Sequence, residues 1–416
     1  MYQMFAIPLM LVLGLRTISR VSNYPYLLFG NFILSVLTRF YPNNTLFAIG
    51  PITLFHSDFT VIFLLLAMLG HQQLFTVKKK SINIAIAFSA FSIALSFMDG
   101  GITYGINTWF IADIRKFLYH IILIVFASTC DAPINIPKVK KWAKRIAYAL
   151  VLYIYVGTAV HYLFGIQLGA YADDRPLVSH YAITLVVYIL YEVYEQLYNS
   201  KKLSISLATI IAIVAVIINR FNTTWVSMFV GIFVLLLFLP QKKRLLNQRN
   251  LILLCVVAIF LIVMTTSFGD SNLMSNIFET NEKFQKMGEE DTTFGTRIEL
   301  WTVMLQSLNK RTIWTGLPMG SGYSYLYRGT LWKFDPHNGY VETIMRTGII
   351  GCVALLGCYL GGFIASIKNK RIIGAAIIAA MMVYFVAYTY EFELSFILGY
   401  ILAKQMNQEN EEVEYV

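Results

Sequence analysis

The segment "DPHNGYVETIMRTGIIG", residues 335–351, runs from a polar stretch into an apolar one and holds one of only six histidines in 416 residues. Asp335 suits a helix N-cap and Pro336 the first helical position, so we expect His337 and Asn338 in the first turn. Backbone N–H groups there lack helical partners, and the helix dipole favours a neutral imidazole, the form that a general base requires. His337 is therefore a candidate catalytic base, with an ordinary helix-start residue at a membrane interface as the alternative.

A second helix start lies upstream in "DTTFGTRIELW", where Thr296 and Glu299 have the spacing of a capping box. Arg297 would then occupy the first helical turn, an unfavourable place for a cation unless that helix end helps to hold an anion. An ordinary surface arginine is the alternative. Apolar residues recur downstream at helical spacing and predict an amphipathic helix that rests on the membrane domain: Ile298, Trp301, Leu305 and Leu308.

Further arginines lie near the ends of apolar segments. Arg220 stands in "IINRFNTTWVSMF" without an acid nearby, Arg175 follows two aspartates, and Arg115 lies beside Asp113. An ionisable group at membrane depth is expensive and by default marks a functional site. Local ion pairs or snorkelling are the alternative for Arg115 and Arg175, which leaves Arg220 as the better functional candidate.

Several arginines should lie with the candidate base on one face of the molecule. The set comprises Arg175, Arg220, Arg297, Arg328 and His337. Guanidinium groups bind phosphate oxygens through paired hydrogen bonds, so an anionic substrate such as a pyrophosphate fits this set. Acidic residues do not cluster with histidine at metal-ligand spacing. We therefore predict a site without a metal or another cofactor.

The composition is that of a membrane protein. Hydrophobic residues make up 57% of the chain and charged residues 13%, and the mean hydropathy is +0.62. Apolar runs such as "NLILLCVVAIFLIVMTTSF" are long enough to cross a hydrocarbon core about 30 Å thick. The four cysteines lie in apolar segments without C-x-x-C spacing and indicate neither disulfides nor a metal site. We expect an all-α, polytopic membrane protein.

The formal charge of +10 does not indicate nucleic-acid binding, because the basic clusters fall in short segments between apolar runs. Such segments stay on the cytoplasmic side of a membrane. This rule predicts about twelve spans, near 26–41, 52–75, 82–98, 113–130, 146–165, 178–198, 203–219, 224–240, 250–268, 346–367, 371–388 and 389–404. Residues 1–15 form either an interfacial segment or an extra helix.

Three parts of the chain follow from this topology. Residues 1–268 would form an N-terminal transmembrane bundle, and residues 346–416 would form C-terminal transmembrane helices with a cytoplasmic tail. Between them, residues 269–345 form one large polar loop on the extracytoplasmic side, with short helices of its own. Structureless loops of this length are uncommon and are usually functional or disordered. The many aromatic residues of this loop argue against disorder, so we predict that it carries the site.

At these residues the sequence resembles the bacterial O-antigen ligase and O-antigen/capsule polysaccharide polymerase (Wzy-type) superfamily. "HNGYVETIMRTGIIG" is similar to that superfamily's pattern of histidine, a small polar residue, nine residues and G-x-x-G, here His337, Asn338, Gly348 and Gly351. "GTRIELW" looks like its Arg-x-x-x-Trp helix, and "GLPMGSGYSY" like its glycine-rich segment. In the arginine-bearing span this chain departs from the family, reading "NRFNTT" where the family has serine-arginine followed by small residues.

The resemblance implies a glycosyltransferase of GT-C-like architecture in the cytoplasmic (inner) membrane, with its active site on the extracytoplasmic face. Its substrates would be oligosaccharides carried on undecaprenyl pyrophosphate, and flippase and chain-length regulator proteins are further partners of such enzymes. The family histidine maps to His337 and its pyrophosphate-binding arginines to Arg297 and, less securely, Arg220. We expect His337 and Arg297 to be catalytic and Arg220, Arg175, Arg328 and Asn338 to bind substrate.

Two branches and one rival class stay open. A polymerase extends one lipid-linked repeat unit with another, whereas a ligase moves the finished glycan to a lipid A core. We favour the polymerase, because such sequences are more numerous and diverse and nothing here indicates an outer membrane. The rival is a flippase or secondary transporter for lipid-linked sugars. Transporters are often built from repeated halves with broken helices near the midplane, and we find no such repeat.

Overall fold

The computed structural model describes residues 2–40, 45–49, 52–75, 80–166, 168, 175–199, 205–240, 293–327, 330–333 and 335–413. The helices in these ranges are α1 (Tyr2–Ser19), α2 (Tyr24–Leu37), α3 (His56–Gly70), α4 (Lys80–Tyr104), α5 (Thr108–Asp113), α6 (Tyr119–Thr129), α7 (Ile136–Phe164), α8 (Ser179–Tyr194), α9 (Leu207–Ile218), α10 (Asn222–Leu237), α11 (Thr293–Gln306), α12 (Thr312–Thr315), α13 (Gly339–Lys368), α14 (Ile372–Tyr384) and α15 (Phe392–Val413). The π-helical turn Ile114–Leu118 joins α5 to α6, and a second, Glu195–Asn199, extends α8.

Length and composition identify membrane spans among these helices. Four helical segments of the described chain are long and apolar enough to cross a bilayer, and these are Tyr2–Ser19, Ile84–Tyr104, Ile136–Phe164 and Gly339–Lys368. Shorter apolar helices accompany them, among them α3, α9, α10 and α14. The chain is thus an all-α, multi-pass membrane protein, as predicted. The total of twelve spans stays a prediction, and the expected span 250–268 lies outside the described residues.

Other expectations change in detail. Residues 2–15 belong to α1, which is one of the four long apolar helices. The polar loop contains the expected short helices α11 and α12, but the chain also forms two antiparallel hairpins. Strands β1 (Phe47–Ile49) and β2 (Ile52–Leu54) make the first, and β3 (Ser324–Tyr327) and β4 (Thr330–Lys333) make the second.

The helices pack closely through small residues. Helix α14 packs against α10, and its Ala375, Ala376 and Ala380 are completely buried. Helix α15 packs against α6 at Gly399, where an added Cβ would lie 2.5 Å from the carbonyl oxygen of Ile124. Small residues let helix backbones approach each other inside a membrane, where lipid is as apolar as leucine. This packing fixes the connection between α14 and α15, against which the predicted site lies.

Candidate functional site

The His337 segment begins α13 differently from the sequence-based prediction. The N-cap is Asn338, which has an extended backbone. Its side-chain Oδ1 accepts hydrogen bonds from the N–H groups of Tyr340 and Val341, each at 3.0 Å. The expected N-cap Asp335 and first-turn Pro336 therefore lie before the helix, and His337 immediately precedes the cap. Asparagine and aspartate cap helices about equally well, so residue type does not decide between Asp335 and Asn338.

His337 has a left-handed backbone, with φ of +47°. Such a conformation in a residue with a side chain costs about 1–3 kcal/mol and persists only where the surroundings impose it. Here the Trp301 indole donates to the carbonyl oxygen of Pro336 at 2.7 Å on one side. On the other side the Asn338 amide donates to the carbonyl oxygen of Val386 at 2.9 Å. Hydrogen bonds of the residues on both sides thus fix the backbone of His337.

Helix α11 places Arg297 beside this segment. The helix begins at Thr293, so Thr296 is not an N-cap and Arg297 lies beyond the first turn, contrary to the capping-box prediction. The buried side of the helix also differs, since Leu300 and Met304 are 7% and 1% exposed whereas Ile298 is 42% exposed. Tertiary packing has overridden the local helix-start pattern.

Arg297 and Trp301 are one helical turn apart and therefore lie on the same side of α11. Because the Trp301 indole donates a hydrogen bond to the carbonyl oxygen of Pro336, that side of the helix faces the His337 segment. The Arg-x-x-x-Trp spacing thus has a structural reason. Trp301 anchors the helix through its hydrogen bond, and Arg297 lies within electrostatic range of His337. Arg297 has no ion pair with any acid in the described ranges of the chain.

The surroundings of His337 favour its neutral form. Partial burial lowers the pKa of His337, the nearby cations Arg297 and Lys116 lower it further, and Glu342 acts in the opposite direction. The pKa of an unperturbed histidine is about 6.5, so the imidazole is neutral at pH 7. The neutral imidazole that was expected at His337 is therefore favoured, and burial and two cations account for it. The role of His337 as a base stays a prediction.

Arg175, which lies shortly before the start of α8, is the second arginine near the His337 segment. Its guanidinium lies 4.6 Å from the centre of the Phe221 ring, and the Phe221 ring lies 6.3 Å from that of Tyr388. Burial raises the pKa of the Tyr388 hydroxyl, while a hydrogen bond from Ser179 and the cations Arg297 and Arg175 oppose the rise. Tyr388 is therefore within electrostatic range of both arginines. We call Arg175, Arg297 and His337 the arginine–histidine site.

Arg220 occupies the turn between α9 and α10, next to Phe221. Its φ is +59° and its guanidinium lies 5.4 Å from the centre of the Tyr162 ring at the end of α7. The amide of Asn219 exchanges two hydrogen bonds with the backbone of Leu177, at 2.9 and 2.8 Å, and so ties this turn to the segment of Arg175. Arg220 is thus a neighbour of the arginine–histidine site through its turn. Arg328 and the aspartates beside Arg175 lie outside the described residues.

Sequence reasoning missed a set of charged residues directly behind the site. Lys116 pairs with Asp335 and, at 2.7 Å, with Glu342, which also accepts a hydrogen bond from Tyr323 at 3.1 Å. Arg346 Nε lies 3.1 Å from Asp113, and these side chains are 0% and 2% exposed. We call Asp113, Lys116, Asp335, Glu342 and Arg346 the ion-pair core.

The local ion pair of Arg115 with Asp113 does not form. Arg115 binds Asp58 through two hydrogen bonds of 2.9 and 2.8 Å rather than pairing with Asp113. Glu342 pairs with Lys116 rather than with Arg346. The membrane-depth rule that drew attention to Arg115 applies equally to Lys116, the next residue, so this signal was available in the sequence.

Helix α13 is broken at Gly348, whose φ of +66° and ψ of −174° are not helical. A Cβ at Gly348 would lie 2.0 Å from the carbonyl oxygen of Trp314, and one at Gly316 would lie 2.3 Å from the carbonyl carbon of Arg346. The two backbones thus cross where neither has a side chain. This crossing holds the polar loop against α13. A 2.6 Å hydrogen bond from the Leu317 N–H to the carbonyl oxygen of Met345 holds it as well.

Residues 207–356 match the protein-family model described as O-antigen ligase. The resemblance to the O-antigen ligase and polymerase superfamily is confirmed. The matched segment contains Arg220, Arg297, His337 and Asn338, whereas Arg175 and helices α14 and α15 lie outside it. No curated protein matches the chain. The match supports an enzyme related to glycosyl transfer that acts on lipid-linked glycans in a membrane.

Within the part of the chain that the structure describes, no group of three histidine, cysteine, aspartate or glutamate side chains could hold a metal ion. The cations of the arginine–histidine site are the groups placed to bind an anion there. A site without a metal stays a prediction, and EDTA treatment of the active protein tests it.

Proposed function

We propose that this protein is a polysaccharide polymerase that joins oligosaccharide repeat units carried on undecaprenyl pyrophosphate. The observation that carries the proposal is the convergence of Arg297 and Arg175 near Tyr388, together with a neutral His337 next to Arg297. A base beside cations suits a reaction in which a hydroxyl loses a proton while a pyrophosphate gains charge. The match to the O-antigen ligase family model supports the same class of reaction.

The chemical step forms one bond and breaks one. The oxygen of an acceptor sugar hydroxyl attacks the anomeric carbon of the donor glycan, and its proton passes to the imidazole of His337. The bond from the anomeric carbon to the pyrophosphate oxygen breaks, and undecaprenyl pyrophosphate leaves with the electron pair. The products are a glycan longer by one repeat unit, a protonated His337 and the lipid pyrophosphate.

Arg297 and Arg175 would stabilise the charge on the leaving group, with Arg220 as a further contributor. Guanidinium groups present parallel N–H donors that match two phosphate oxygens at once. Donors placed in advance where charge develops are usually the largest single contribution to catalysis. Asn338 would act mainly through the backbone, because its side chain caps α13 and binds Val386. These bonds keep His337 at a fixed height above the helix.

The site would lie on the extracytoplasmic side of the cytoplasmic membrane, because the basic segments between spans mark the cytoplasmic side. Single cysteines at Lys140 and Arg311, in a variant without the native cysteines, test this placement. The cysteine at position 140 should react with a membrane-impermeant reagent only from the cytoplasm, and the one at position 311 only from outside. The reverse pattern would contradict the placement of the site.

Reconstitution in liposomes tests the function itself. Wild-type protein supplied with lipid-linked repeat units should produce a ladder of glycans that differ by one repeat, and His337→Ala protein should leave the units unjoined. A ligase would instead transfer glycan only when a lipid A core is added, and the family match supports the two enzymes alike. Movement of units across the bilayer without bond formation would identify a transporter.

A further inference from the structure

A polar cavity of about 290 Å³ lies next to the His337 segment, between the ends of α2, α3, α8 and α15 and the π-helical turn Ile114–Leu118. Arg115 and Lys116 of the π-helical turn form part of its wall. Glu391 and Glu393, at the start of α15, form another part. Single π-helical turns occur frequently at functional sites, because they widen a helix and redirect its side chains.

The cavity differs from the arginine–histidine site in its chemistry. It presents carboxylates as well as cations, so it is poorly suited to a pyrophosphate. Three tyrosines, Tyr119, Tyr181 and Tyr390, complete the lining with aromatic surface. A sugar ring offers hydroxyl groups around its edge and C–H groups on its faces. Carboxylates and guanidinium groups bind the hydroxyls, and aromatic rings cover the apolar faces. A volume near 300 Å³ is at the lower end for ligand pockets and suits a single sugar unit.

Two side chains of the cavity wall also contact the His337 segment. Lys116 pairs with Asp335, two residues before His337, and with Glu342 in the first turn of α13. The Tyr390 hydroxyl lies 2.6 Å from the Thr343 hydroxyl and donates to the carbonyl oxygen of Gly339 at 3.3 Å. The cavity is therefore separated from the catalytic segment by about one layer of side chains. A chain of linked sugars could occupy both places at once.

We propose that this cavity binds a sugar unit of the acceptor oligosaccharide, next to the unit whose hydroxyl reacts at His337. The proposal rests on the proposed polymerase function and adds a second subsite to it. The arginine–histidine site holds the pyrophosphate of the donor, and the cavity selects the acceptor by its hydroxyl pattern. Arg115 is already oriented by its two bonds to Asp58, so its position does not depend on the sugar.

Two substitutions test the cavity without touching the arginine–histidine site. Glu391→Gln keeps the size of the side chain and its 3.1 Å bond from Tyr384 but removes the acidic group. Burial raises the pKa of Glu391 to about 8, so binding is measured above that pH, where the carboxyl carries its charge. Ser57→Trp adds bulk to a cavity-lining residue of α3. The matched control is Glu195→Gln, which removes the same charge from a residue that pairs with Lys140 beside a basic segment. Thermal unfolding of each variant establishes that it is folded.

The probe is the repeat-unit oligosaccharide released from its lipid, which has no leaving group and can act only as an acceptor. Its dissociation constant from the detergent-solubilised protein is measured by calorimetry. Its KM as an acceptor is measured from reaction rates, with the lipid-linked unit as donor. Glu391→Gln should raise both values at least about tenfold, the effect of losing a hydrogen bond to a charged group. Ser57→Trp should abolish binding of the oligosaccharide. The KM for the lipid-linked donor should stay at the wild-type value in both cavity variants. Glu195→Gln should keep the wild-type dissociation constant and KM for the oligosaccharide.

The outcomes separate the two proposals. If both cavity variants bind the oligosaccharide within twofold of the wild type while polymer still forms, the acceptor subsite is overturned and the polymerase stands. If the wild type binds the oligosaccharide and Glu391→Gln loses it, but no polymer forms under any condition, the sugar site stands and the polymerase is overturned. A donor KM that rises together with the acceptor KM would mean that the substitution disturbs the whole site, and this would also overturn the subsite.

Discussion

The arginine–histidine site and the ion-pair core are neighbours built from similar residue types, yet their charges are arranged differently. In the core, Asp113, Asp335 and Glu342 surround Lys116 and Arg346, so each cation has an acidic partner. In the site, two arginines and a histidine gather near Tyr388, and Arg297 has no acidic partner in the described ranges. Both cations of the core are held by acids of the protein itself, whereas we propose that Arg297 of the site binds an anionic substrate.

The largest effect should follow from removing the base. His337→Ala should reduce polymer formation by about 10²–10⁴-fold, the usual contribution of a general base. His337→Gln should be about as impaired, because glutamine can accept a hydrogen bond but cannot take up a proton at neutral pH. The measurement is the initial rate of repeat-unit joining, with His71→Gln as the control because His71 binds the Ile18 carbonyl oxygen, remote from the site in the structure. Near-normal rates in the glutamine variant would make His337 a positioning residue.

The next largest effect should be on stability, from the ion-pair core. Arg346→Ala would leave Asp113 buried without its cation, which typically costs about 3–5 kcal/mol. We expect a lower melting temperature and aggregation in detergent, measured by thermal unfolding and size exclusion. Arg311→Ala, which removes an exposed arginine of the same loop, should change stability by no more than about 0.5 kcal/mol. If Arg346→Ala protein were as stable as the wild type, the contrast between core and site would fail.

Arg297→Ala should show the opposite behaviour, with intact stability and lost chemistry. Removing one group that stabilises developing charge typically costs about 10²–10³-fold in rate. Arg297→Lys should rescue poorly, because ammonium is a point charge without parallel donors. Activity of the wild type should fall as the pH drops through the lowered pKa of His337, since protonation removes the base. Loss of the Arg297 cation raises that pKa, so the residual activity of the alanine variant should fall at a higher pH. An unchanged acidic limb would place Arg297 away from His337.

Trp301→Phe should have the smallest effect of the four. The variant loses the hydrogen bond to the Pro336 carbonyl oxygen but keeps an aromatic ring, a loss of about 0.5–1.5 kcal/mol. The left-handed His337 should then be less firmly held, and the rate should fall by at most about tenfold. Trp314→Phe is the control, because that indole is 54% exposed. Equal rates in the two variants would show that the Trp301 bond does not position His337.

The sequence proposed the residues of the site but not their partners. Spacing made His337 and Arg297 candidates at predicted helix starts, with ordinary structural roles as alternatives, and the resemblance to the O-antigen ligase and polymerase superfamily favoured the functional role. The exact starts were wrong, because Asp335 and Asn338 are equally good caps and because α11 extends one turn upstream of Thr296.

The ion pairs were missed for a different reason. Local spacing proposes only neighbours such as Arg115 with Asp113, whereas the structure pairs Glu342 with Lys116 and Arg346 with Asp113, more than two hundred residues apart. Such pairs depend on how the helices pack, and no local pattern encodes that. The membrane character, by contrast, follows from composition and was predicted correctly.

The crossing of Gly316 and Gly348 also limits where this chain can vary in length. Tyr323 is tied to Glu342 of α13 and Asp335 is tied to Lys116, so an insertion or deletion before Tyr323 or after Asp335 would shift His337. Between them the chain turns back on itself as the hairpin of β3 and β4. That hairpin can change in length and in side chains while its two ends stay fixed. Insertions and deletions are therefore best tolerated there, because they leave His337 in its place.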